Sequence, residues 1–322
     1  MNAPRVAVLG GTGWLGRHVC AAFARRGQDV VVVARRPAPH VAGHFFAGLD
    51  LTVAAPETIH ALLRSRGVSV VVNATDAANA TDGWARTEEE MTAANVGLVR
   101  NVLAAMRALP WPSRVVHVGT IHEYGQGGDA EPASAYVRTK LAGSRAVLAA
   151  ARSGEVDGVV LRCANMTGPH PSPETFPGKL VRLLLAAVAT GRPMEVAVSD
   201  SRRDFVDVRD VAGAVLRAAD AALTGRALDI GGGGVVDMRT FVRTFVTAAG
   251  YPLGMLREEH REVASLGGEG GKADIRPAAE LLHWKPQIGL ITSLRDMWET
   301  AFAEYSRTDA PDESRTAGIR LE

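Results

Sequence analysis

The sequence predicts an α/β protein: a Rossmann-type doubly wound parallel sheet with a smaller C-terminal substrate-binding lobe. Short apolar runs alternate with helical patterns throughout the first half of the chain. The runs 30–33 and 70–72 are continuous valine with no polar alternation, which is typical of strands covered on both faces. A glycine-rich segment directly follows the first predicted strand, Arg5–Leu9. At 322 residues and 47% hydrophobic composition, the chain can form one large domain or two unequal lobes.

Strands that alternate with helices imply right-handed crossovers and a parallel sheet. The predicted strands are Arg5–Leu9, Asp29–Ala34, Ser69–Ala74, Arg114–Gly119 and Gly158–Arg162. The helices predicted between them are Trp14–Arg26, Pro56–Arg66, Glu88–Ala108 and Ala135–Arg152. We predict a dinucleotide-binding domain over residues 1–164, to which 201–230 return. A substrate-binding lobe is predicted over 165–200 and 231–305, and a flexible tail over 306–322.

The composition argues against several classes of protein. With 36 Lys+Arg against 35 Asp+Glu, the chain has no basic excess for coating nucleic acid. No apolar run is long enough to cross a membrane, and a strand beginning by Arg5 leaves no room for a signal peptide, so a cytoplasmic protein is expected. Cys20 and Cys163 lie in apolar stretches typical of buried thiols. No metal site is predicted, because His40 and His44 follow prolines and have no intervening glutamate.

The segment 10–16, Gly-Gly-Thr-Gly-Trp-Leu-Gly, joins the first strand to the first helix. Glycines at Gly10, Gly13 and Gly16 allow a tight turn, close approach to a pyrophosphate and packing of helix on strand. Trp14 and Leu15 begin a helix whose free N–H groups favour phosphate. The segment therefore predicts a dinucleotide cofactor.

The end of the second strand selects the cofactor. An NAD site usually has an acidic residue there, but this strand ends in Arg35 and Arg36. Two guanidinium groups suit a 2′-phosphate, so NADP(H) is predicted. The alternative is that both arginines are solvated loop residues beside Pro37. Asp50, followed by Leu51, is placed to accept a hydrogen bond from the adenine amino group.

Tyr136 and Lys140 are four residues apart and therefore lie on one face of a predicted helix. A tyrosine can exchange a proton with a carbinol oxygen if a nearby ammonium and a positive nicotinamide lower its pKa. Thr120 ends a predicted parallel strand, where doubly wound sheets bind their ligands. The three residues together predict an oxidoreductase site.

These motifs resemble those of the extended short-chain dehydrogenase/reductases, in particular their nucleotide-sugar epimerase, dehydratase and ketoreductase branch. The resemblance covers roughly residues 5–300. It is carried by Gly10–Gly16, Asn73-Ala74, Asn95-Val96-Gly97, Thr120 with Tyr124-Gly125, Tyr136 with Lys140, Arg162–Asn165, Gly168-Pro169, Arg203–Val208 and Leu282–Pro286.

The resemblance implies roles for named residues. It assigns catalysis to Thr120, Tyr136 and Lys140. It implies that Asn165 and Arg203 contact the diphosphate of a sugar nucleotide, although an ion pair of Arg203 with a neighbouring aspartate is the alternative. We place Asn73 and Ala74 in the predicted cofactor site, and His122 and Lys179 in the predicted substrate site.

Departures from the family pattern argue against dehydratase activity. Dehydratases follow the hydroxyl residue with Asp-Glu, whereas this chain has Ile121 and His122. Glu123 is displaced by one position and would point the other way if strand geometry persisted. His122 is either an acid/base group or a residue at the rim without a chemical role.

The resemblance implies an NADPH-dependent reductase of a keto group on a nucleotide sugar, with C4 of a dTDP-4-keto-6-deoxyhexose as the predicted substrate. The alternatives are an NAD-dependent nucleotide-sugar 4-epimerase with the same three residues and a non-catalytic NADP-binding regulator. Regulators of that kind generally lose the Tyr/Lys pair, which this sequence keeps. Homodimerisation through the helices near 88–108 and 135–152 is also implied.

Overall fold

The described part of the chain contains the predicted strands and helices in the predicted order, together with a strand at Phe45–Gly48 that the sequence analysis did not identify. The structure, a computed structural model, describes residues 5–76, 86–123, 134–261 and 271–308. The strands among these residues are β1 (Arg5–Leu9), β2 (Val30–Ala34), β3 (Phe45–Gly48), β4 (Val68–Asn73), β5 (Arg114–Thr120), β6 (Asp157–Cys163), β7 (Asn165–Thr167), β8 (Met194–Val198), β9 (Arg202–Asp207), β10 (Arg226–Ile230), β11 (Val235–Asp237) and β12 (Leu256–His260). The α-helices are α1 (Trp14–Arg25), α2 (Pro56–Ser65), α3 (Glu88–Thr92), α4 (Leu98–Arg107), α5 (Ala135–Arg152), α6 (Phe176–Thr190), α7 (Val208–Asp220), α8 (Met238–Ala248), α9 (Arg276–Leu281) and α10 (Leu290–Thr308).

Seven of the described strands form one parallel sheet in the order β10-β6-β5-β4-β1-β2-β3. The chain runs outward from β1 through β2 and β3, then returns to place β4 on the other side of β1. In open α/β sheets a ligand crevice lies outside the carboxyl ends of the strands where the order reverses. The predicted fold class is confirmed, and the topology places a crevice at the ends of β1 and β4.

The sheet is covered on both faces, as its valine runs predict. Every residue of Val30–Ala34 in β2 is buried. On one face, α1 and α7 pack together through apolar side chains that include Phe23 and Val215. On the other face, α2, α4 and α5 bury residues such as Leu63 and Val147. Burying both faces makes the sheet a rigid base for the loops at its edge.

The remaining strands build a second apolar core. In a three-stranded sheet, β9 pairs in parallel with β7 and antiparallel with β11, and β8 pairs separately with β12. Helices α6, α8 and α10 contribute to the core beside these strands. The rings of Phe205 and Phe241 stack at 4.1 Å between centroids, and Trp298 lies edge-on to Phe245 at 6.4 Å. This core fixes the strand that brings Arg203 to the crevice.

The predicted division into domains stays a prediction. Within the segment 201–230, β10 joins the large sheet and α7 packs on α1, whereas β9 pairs inside the three-stranded sheet. The terminal helix α10 extends to Thr308, so the first three residues of the predicted tail 306–322 are helical. Residues 309–322 lie outside the described residues. None of the helices in the described ranges is long and apolar enough to cross a membrane.

Asp204 joins the second core to the large sheet. Its side chain is fully buried and accepts hydrogen bonds from the backbone N–H groups of Gly232, at 2.7 Å, and Ala273, at 3.1 Å. Asp204→Ala is expected to lower the free energy of unfolding by about 1–3 kcal/mol, because the buried N–H of Ala273 and the partly buried N–H of Gly232 lose their acceptor. Denaturant unfolding measures this loss. Asp204→Asn, which keeps an acceptor oxygen, should lose less, and an alanine variant as stable as the original protein would contradict the assignment.

Candidate functional site

The glycine segment 10–16 forms the turn between β1 and α1. Gly10 has a φ of +75°, and a Cβ there would lie 3.1 Å from the carbonyl oxygen of Ala74. A Cβ at Gly16 would lie 2.7 Å from the Cα of Gly11, and closer still to the carbonyl oxygen of Gly10. Helix α1 has no side-chain cap at Gly13 and no acidic residue in its first turn. Its N-terminal N–H groups therefore offer a positive site for a diphosphate, and the segment fits the predicted dinucleotide.

A cleft of about 1080 Å³ runs along the carboxyl ends of the strands. It is lined by residues of all three predicted groups, from the cofactor end through the catalytic residues to the substrate end. Gly16 and Asn73 lie behind the lining. The predicted residues that line the cleft are Gly10, Gly13, Trp14, Leu15, Arg35, Arg36, Asp50, Leu51, Ala74, Thr120, His122, Tyr136, Lys140, Asn165, Lys179 and Arg203.

The side chain of Asn73 lies behind the residues that line the cleft and stabilises the turn that follows β4. Its amide nitrogen is hydrogen-bonded to Nδ1 of His117 at 3.1 Å, and its Oδ1 accepts from the backbone N–H and the hydroxyl of Thr75. Asn73 is almost fully buried, so its side chain does not reach the cleft. The structure therefore places it as a support for the turn after β4, beside Gly10.

Arg35 and Arg36, which follow β2, and Asp50, which follows β3, line the same end of the cleft, where the cofactor is predicted to bind. Arg35 and Arg36 are exposed at the end of β2 and line the cleft. One carboxylate oxygen of Asp50 accepts from the hydroxyl of Thr52 at 2.6 Å and from its backbone N–H at 3.0 Å. These hydrogen bonds, with Arg35 nearby, hold the pKa of Asp50 below its ordinary value. A fixed carboxylate and two guanidinium groups can bind the adenine and the phosphate of one nucleotide. Sequence analysis did not identify the supporting Thr52.

The predicted catalytic pair lies in the middle of the cleft. Lys140 is 4% exposed, and its ammonium donates to the carbonyl oxygen of Val118 at 2.8 Å. The Tyr136 hydroxyl donates to Asp76 at 3.5 Å, and the other oxygen of Asp76 lies 3.8 Å from the Lys140 nitrogen. Asp76 was missed by sequence analysis, although it follows β4 at the reversal of strand order. It places a carboxylate against both members of the pair.

The pKa of Tyr136 departs from the expected direction. Burial raises it well above its ordinary value, and the Asp76 carboxylate raises it further. The expectation from the sequence was a pKa lowered by Lys140 and a positive nicotinamide. In the protein alone, a shielded phenol facing a carboxylate keeps its proton. Tyr136 is therefore in the form of a proton donor.

Replacing Asp76 by asparagine tests whether its carboxylate raises the pKa of Tyr136. Asp76→Asn removes a negative charge that disfavours the phenolate, so the pKa of Tyr136 should fall. Ultraviolet absorbance measures the phenolate, and subtracting the titration of a Tyr136→Phe protein in the same background isolates this tyrosine from the other three. An unchanged titration would show that the carboxylate does not act on Tyr136.

Helix α5, which carries the pair, is positioned by close packing on the turn before α4. The chain widens there into a π-helical turn, Ala93–Gly97. A side chain at Gly143 would overlap the carbonyl oxygen of Asn95, whose amide donates to the Thr139 hydroxyl at 3.0 Å. The segment Asn95-Val96-Gly97, which is one of those that carry the family resemblance, thus acts on the site indirectly by fixing the position of α5.

Thr120 ends β5 beside the pair, and the chain then turns away from the sheet. Residues Ile121–Glu123 form a 3₁₀ turn, so strand geometry does not persist to Glu123 as the sequence argument supposed. The His122 backbone N–H donates to the Thr120 hydroxyl at 3.4 Å, and His122 lines the cleft. Glu123 turns inward and is buried. The Tyr124-Gly125 pair lies outside the described residues.

The substrate end of the cleft carries partly buried cations. Burial lowers the pKa of Arg203, and burial together with Arg182 lowers that of Lys179. An ion pair of Arg203 with Asp204 or Asp207 is not formed, since Asp204 accepts from backbone N–H groups and Asp207 pairs with Arg209 at 2.7 Å. Cations that have lost part of their hydration favour an anionic ligand such as a diphosphate.

The two cysteines are placed as predicted. Cys20 and Cys163 are free and buried, and burial raises the pKa of each thiol to about 12. No group of three or more His, Cys, Asp or Glu residues that could hold a metal ion occurs within the described ranges. Trp14 links the cofactor loop to the segment after β7, donating from its indole to the carbonyl oxygen of Pro169 at 2.8 Å.

Comparison with known proteins shows the family of this chain. Residues 6–231 match the sequence profile of the NAD dependent epimerase/dehydratase family. This chain belongs to that family. Within it, the chain is 33% identical over 320 residues to the dTDP-6-deoxy-L-talose 4-dehydrogenase (NAD(P)(+)) of Kitasatospora kifunensis, covering 92% of this chain and 97% of the relative. It is 30% identical over 249 residues to the dTDP-4-dehydrorhamnose reductase of Mycobacterium tuberculosis, covering 73% and 72%.

A solved structure shares the fold. The UDP-glucuronic acid 4-epimerase of Bacillus cereus, in complex with UDP-glucuronic acid and NAD, superposes with a TM-score of 0.80 at 19% identity. The match covers 94% of this chain and all of the epimerase chain. The predicted resemblance to the extended short-chain dehydrogenase/reductases is confirmed. As a member of the NAD dependent epimerase/dehydratase family, this chain is an oxidoreductase of the nucleotide-sugar-modifying group.

Proposed function

We propose that this protein reduces a keto group of a nucleotide-activated sugar with NADPH, and that the group is C4 of a dTDP-4-keto-6-deoxyhexose. The observation that carries the proposal is the meeting of Tyr136, Lys140 and Thr120 in one cleft. The cofactor loop lies on one side of these residues, and the partly buried cations Arg203 and Lys179 lie on the other. That order supports a substrate whose carbonyl carbon lies between a dinucleotide and a proton donor.

The nicotinamide, when bound, supplies the hydride. Tyr136 donates its proton to the carbonyl oxygen as charge develops there, and the raised pKa keeps that proton available. The Thr120 hydroxyl holds the same oxygen by a hydrogen bond. Lys140, buried against the Val118 carbonyl, stabilises the phenolate that remains. These roles require a cofactor-bound state in which Asp76 no longer receives the Tyr136 hydrogen bond.

The substrate class is supported by the other end of the cleft. Arg203 and Lys179 supply positive charge for a diphosphate, and the Asn165 amide lies beside them, donating to the Asp204 carbonyl at 3.2 Å. Apolar side chains of α6 and β8, including Leu180 and Val196, form the wall beyond. The names of the two relatives, a 4-dehydrogenase and a 4-dehydrorhamnose reductase, support a dTDP-sugar and C4.

An assay of keto-sugar reduction tests the proposal. A dTDP-4-keto-6-deoxyhexose is generated in situ by a dehydratase and incubated with the protein and NADPH. The decrease in absorbance of the reduced nicotinamide is followed. Nuclear magnetic resonance of the product identifies the reduced carbon. We expect turnover that depends on both the keto sugar and NADPH. A dTDP-sugar without the keto group serves as the control, and no turnover with any keto sugar would refute the proposal.

An NAD-dependent 4-epimerase is the second candidate. It is favoured by the match in fold to an epimerase solved with NAD. An epimerase must keep its nicotinamide through oxidation and reduction. Denaturing the purified protein and identifying the released cofactor separates the two candidates: stoichiometric NAD that does not exchange would favour the epimerase. The absence of an acid after β2 favours the reductase.

The choice of cofactor gives a further expected result. Arg35→Ala should raise the dissociation constant of NADPH by roughly tenfold to a hundredfold, because a charge-assisted contact to the 2′-phosphate is lost. The dissociation constant of NADH should not change, and fluorescence titration measures both. Arg64→Ala, an exposed arginine on α2, is the matched control. Equal losses for NADPH and NADH would contradict the selective role.

The predicted homodimer and the cytoplasmic location stay predictions. Light scattering tests the first, since a monomer mass at micromolar protein would exclude association through α4 and α5.

A further inference from the structure

A buried carboxylate lies behind the wall of the cleft. Glu123 is 5% exposed and does not line the cleft. Its Oε1 accepts from the backbone N–H of Thr120 and from the Ser144 hydroxyl, each at 2.9 Å. A side chain that reaches neither solvent nor ligand, yet holds two buried donors with one oxygen, connects parts of the structure.

The two donors belong to the two elements that carry the proposed reaction. Thr120 is the last residue of β5. Ser144 lies on α5, four residues after Lys140 and eight after Tyr136, and residues at this spacing lie along one side of a helix. A single carboxylate oxygen therefore joins the strand end that holds the hydroxyl to the helix that holds the Tyr/Lys pair.

The fold makes room for this carboxylate. A Cβ at Gly119 would overlap Glu123 and would lie 3.0 Å from the Ser144 hydroxyl oxygen. The 3₁₀ turn Ile121–Glu123 returns the chain to the space that Gly119 leaves. Gly119, Glu123 and Ser144 thus form one packing unit, which none of the motifs in the sequence analysis includes.

The charges around the unit also act on the site. Burial raises the pKa of Glu123, while its hydrogen bonds and the cations Lys140 and Arg162 favour its ionised form. Among the described residues, the charged and titratable groups that act on Tyr136 are Asp76, Glu123 and Cys163, with Lys140 beside it. An ionised Glu123 therefore disfavours the Tyr136 phenolate.

We propose that Glu123 is a positioning residue of the reductase, holding Thr120 in register with Tyr136 and Lys140 through the paired hydrogen bonds of its Oε1. The inference rests on the proposed function, since it concerns the alignment of those three residues for reduction. Glu123 touches neither substrate nor cofactor and acts through Thr120 and Ser144.

Kinetics of three variants test the alignment. Glu123→Ala should lower kcat roughly tenfold or more, because the hydroxyl and the phenol lose their common anchor. The KM for the sugar nucleotide should change little. Ser144→Ala, which removes one of the two hydrogen bonds to Glu123, should give a smaller loss of kcat. Glu123→Gln keeps an acceptor oxygen and should retain most of the original kcat. Glu258→Gln is the matched control, a shielded glutamate whose ion pair with Arg243 lies outside the cleft.

A titration that needs no substrate completes the test. Glu123→Gln should move the Tyr136 phenolate titration, isolated by subtracting Tyr136→Phe in the same background, to lower pH, and Glu258→Gln should not. If the Glu123 and Ser144 variants lose thermal stability while kcat and the titration stay unchanged, Glu123 is only structural and the inference is wrong. A shifted titration in a protein that reduces no keto sugar would instead refute the proposed function and leave the coupling of Glu123 to Tyr136 in place.

Discussion

Replacing Tyr136 by phenylalanine is expected to lower kcat for keto-sugar reduction by about a hundredfold to ten-thousandfold, the range for loss of a positioned acid. Only the hydroxyl is removed, so the apolar contacts of the ring remain. The affinity for NADPH should stay nearly unchanged, because the dinucleotide is held mainly by the segment 10–16 and the residues after β2. Steady-state kinetics with NADPH and a dTDP-4-keto-6-deoxyhexose measure the first effect, and fluorescence titration the second.

Tyr251→Phe is the matched control for this substitution. The Tyr251 hydroxyl donates to the carbonyl oxygen of Arg192 at 3.0 Å, away from the cleft. It should leave kcat unchanged. A Tyr136→Phe enzyme that kept more than about a tenth of the original rate would show that another group donates the proton.

The pH dependence of the same reaction has a definite sign. Reduction needs Tyr136 in its protonated form, so kcat/KM should fall as the pH rises through the pKa of this residue in the free enzyme. Since burial and Asp76 raise that pKa, the fall should lie at high pH in the original protein. Asp76→Asn should bring it to lower pH. A fall that did not move in the Asp76 variant would assign it to a different group.

Replacing Gly16 by alanine is expected to abolish measurable binding of NADPH. The new Cβ would lie 2.7 Å from the Cα of Gly11 and 2.8 Å from the carbonyl carbon of Gly10. These are backbone atoms of the turn itself, so α1 must move away from β1 or the turn must open. Overpacking of this kind also lowers the free energy of unfolding, by about 1–3 kcal/mol.

Calorimetric titration with NADPH and denaturant unfolding measure the two effects of Gly16→Ala. Gly43→Ala is the control, because a Cβ there meets no atom within 4 Å. It should bind NADPH normally. Normal affinity in the Gly16 variant would mean that the close contact of α1 with the turn is not needed for the cofactor.

Much of the fold follows from local pattern. The valine runs of β2 and β4 leave no polar face, which predicts a sheet buried on both sides. The alternation of strands with helices makes a parallel sheet the expected arrangement. The cofactor loop is equally local, since strand, turn and helix are consecutive. The spacing of Tyr136 and Lys140 needs only the period of one helix.

The parts that sequence analysis missed depend on residues far apart in the chain. Asp76 faces Tyr136 across 60 positions, and no periodicity relates them. Burial of the tyrosine, together with the Asp76 carboxylate, reverses the direction expected for its pKa. Glu123 was judged on the assumption that strand geometry persisted, but a 3₁₀ turn brings it beneath Thr120. Asn73 was assigned to the cofactor site, whereas packing against His117 places its side chain behind the lining.

The sequence by itself determined the class of sheet, the glycine turn, the arginines that follow β2 and the helix face of the Tyr/Lys pair. Each of these features depends on residues that are close together in the sequence. Only the tertiary structure decided which charges surround Tyr136 and which residue aligns Thr120 with it. Those depend on how β4, β5 and α5 pack together. The pKa of a buried group is set by desolvation and by neighbouring charges, and both arise from contacts between elements rather than from their order in the chain.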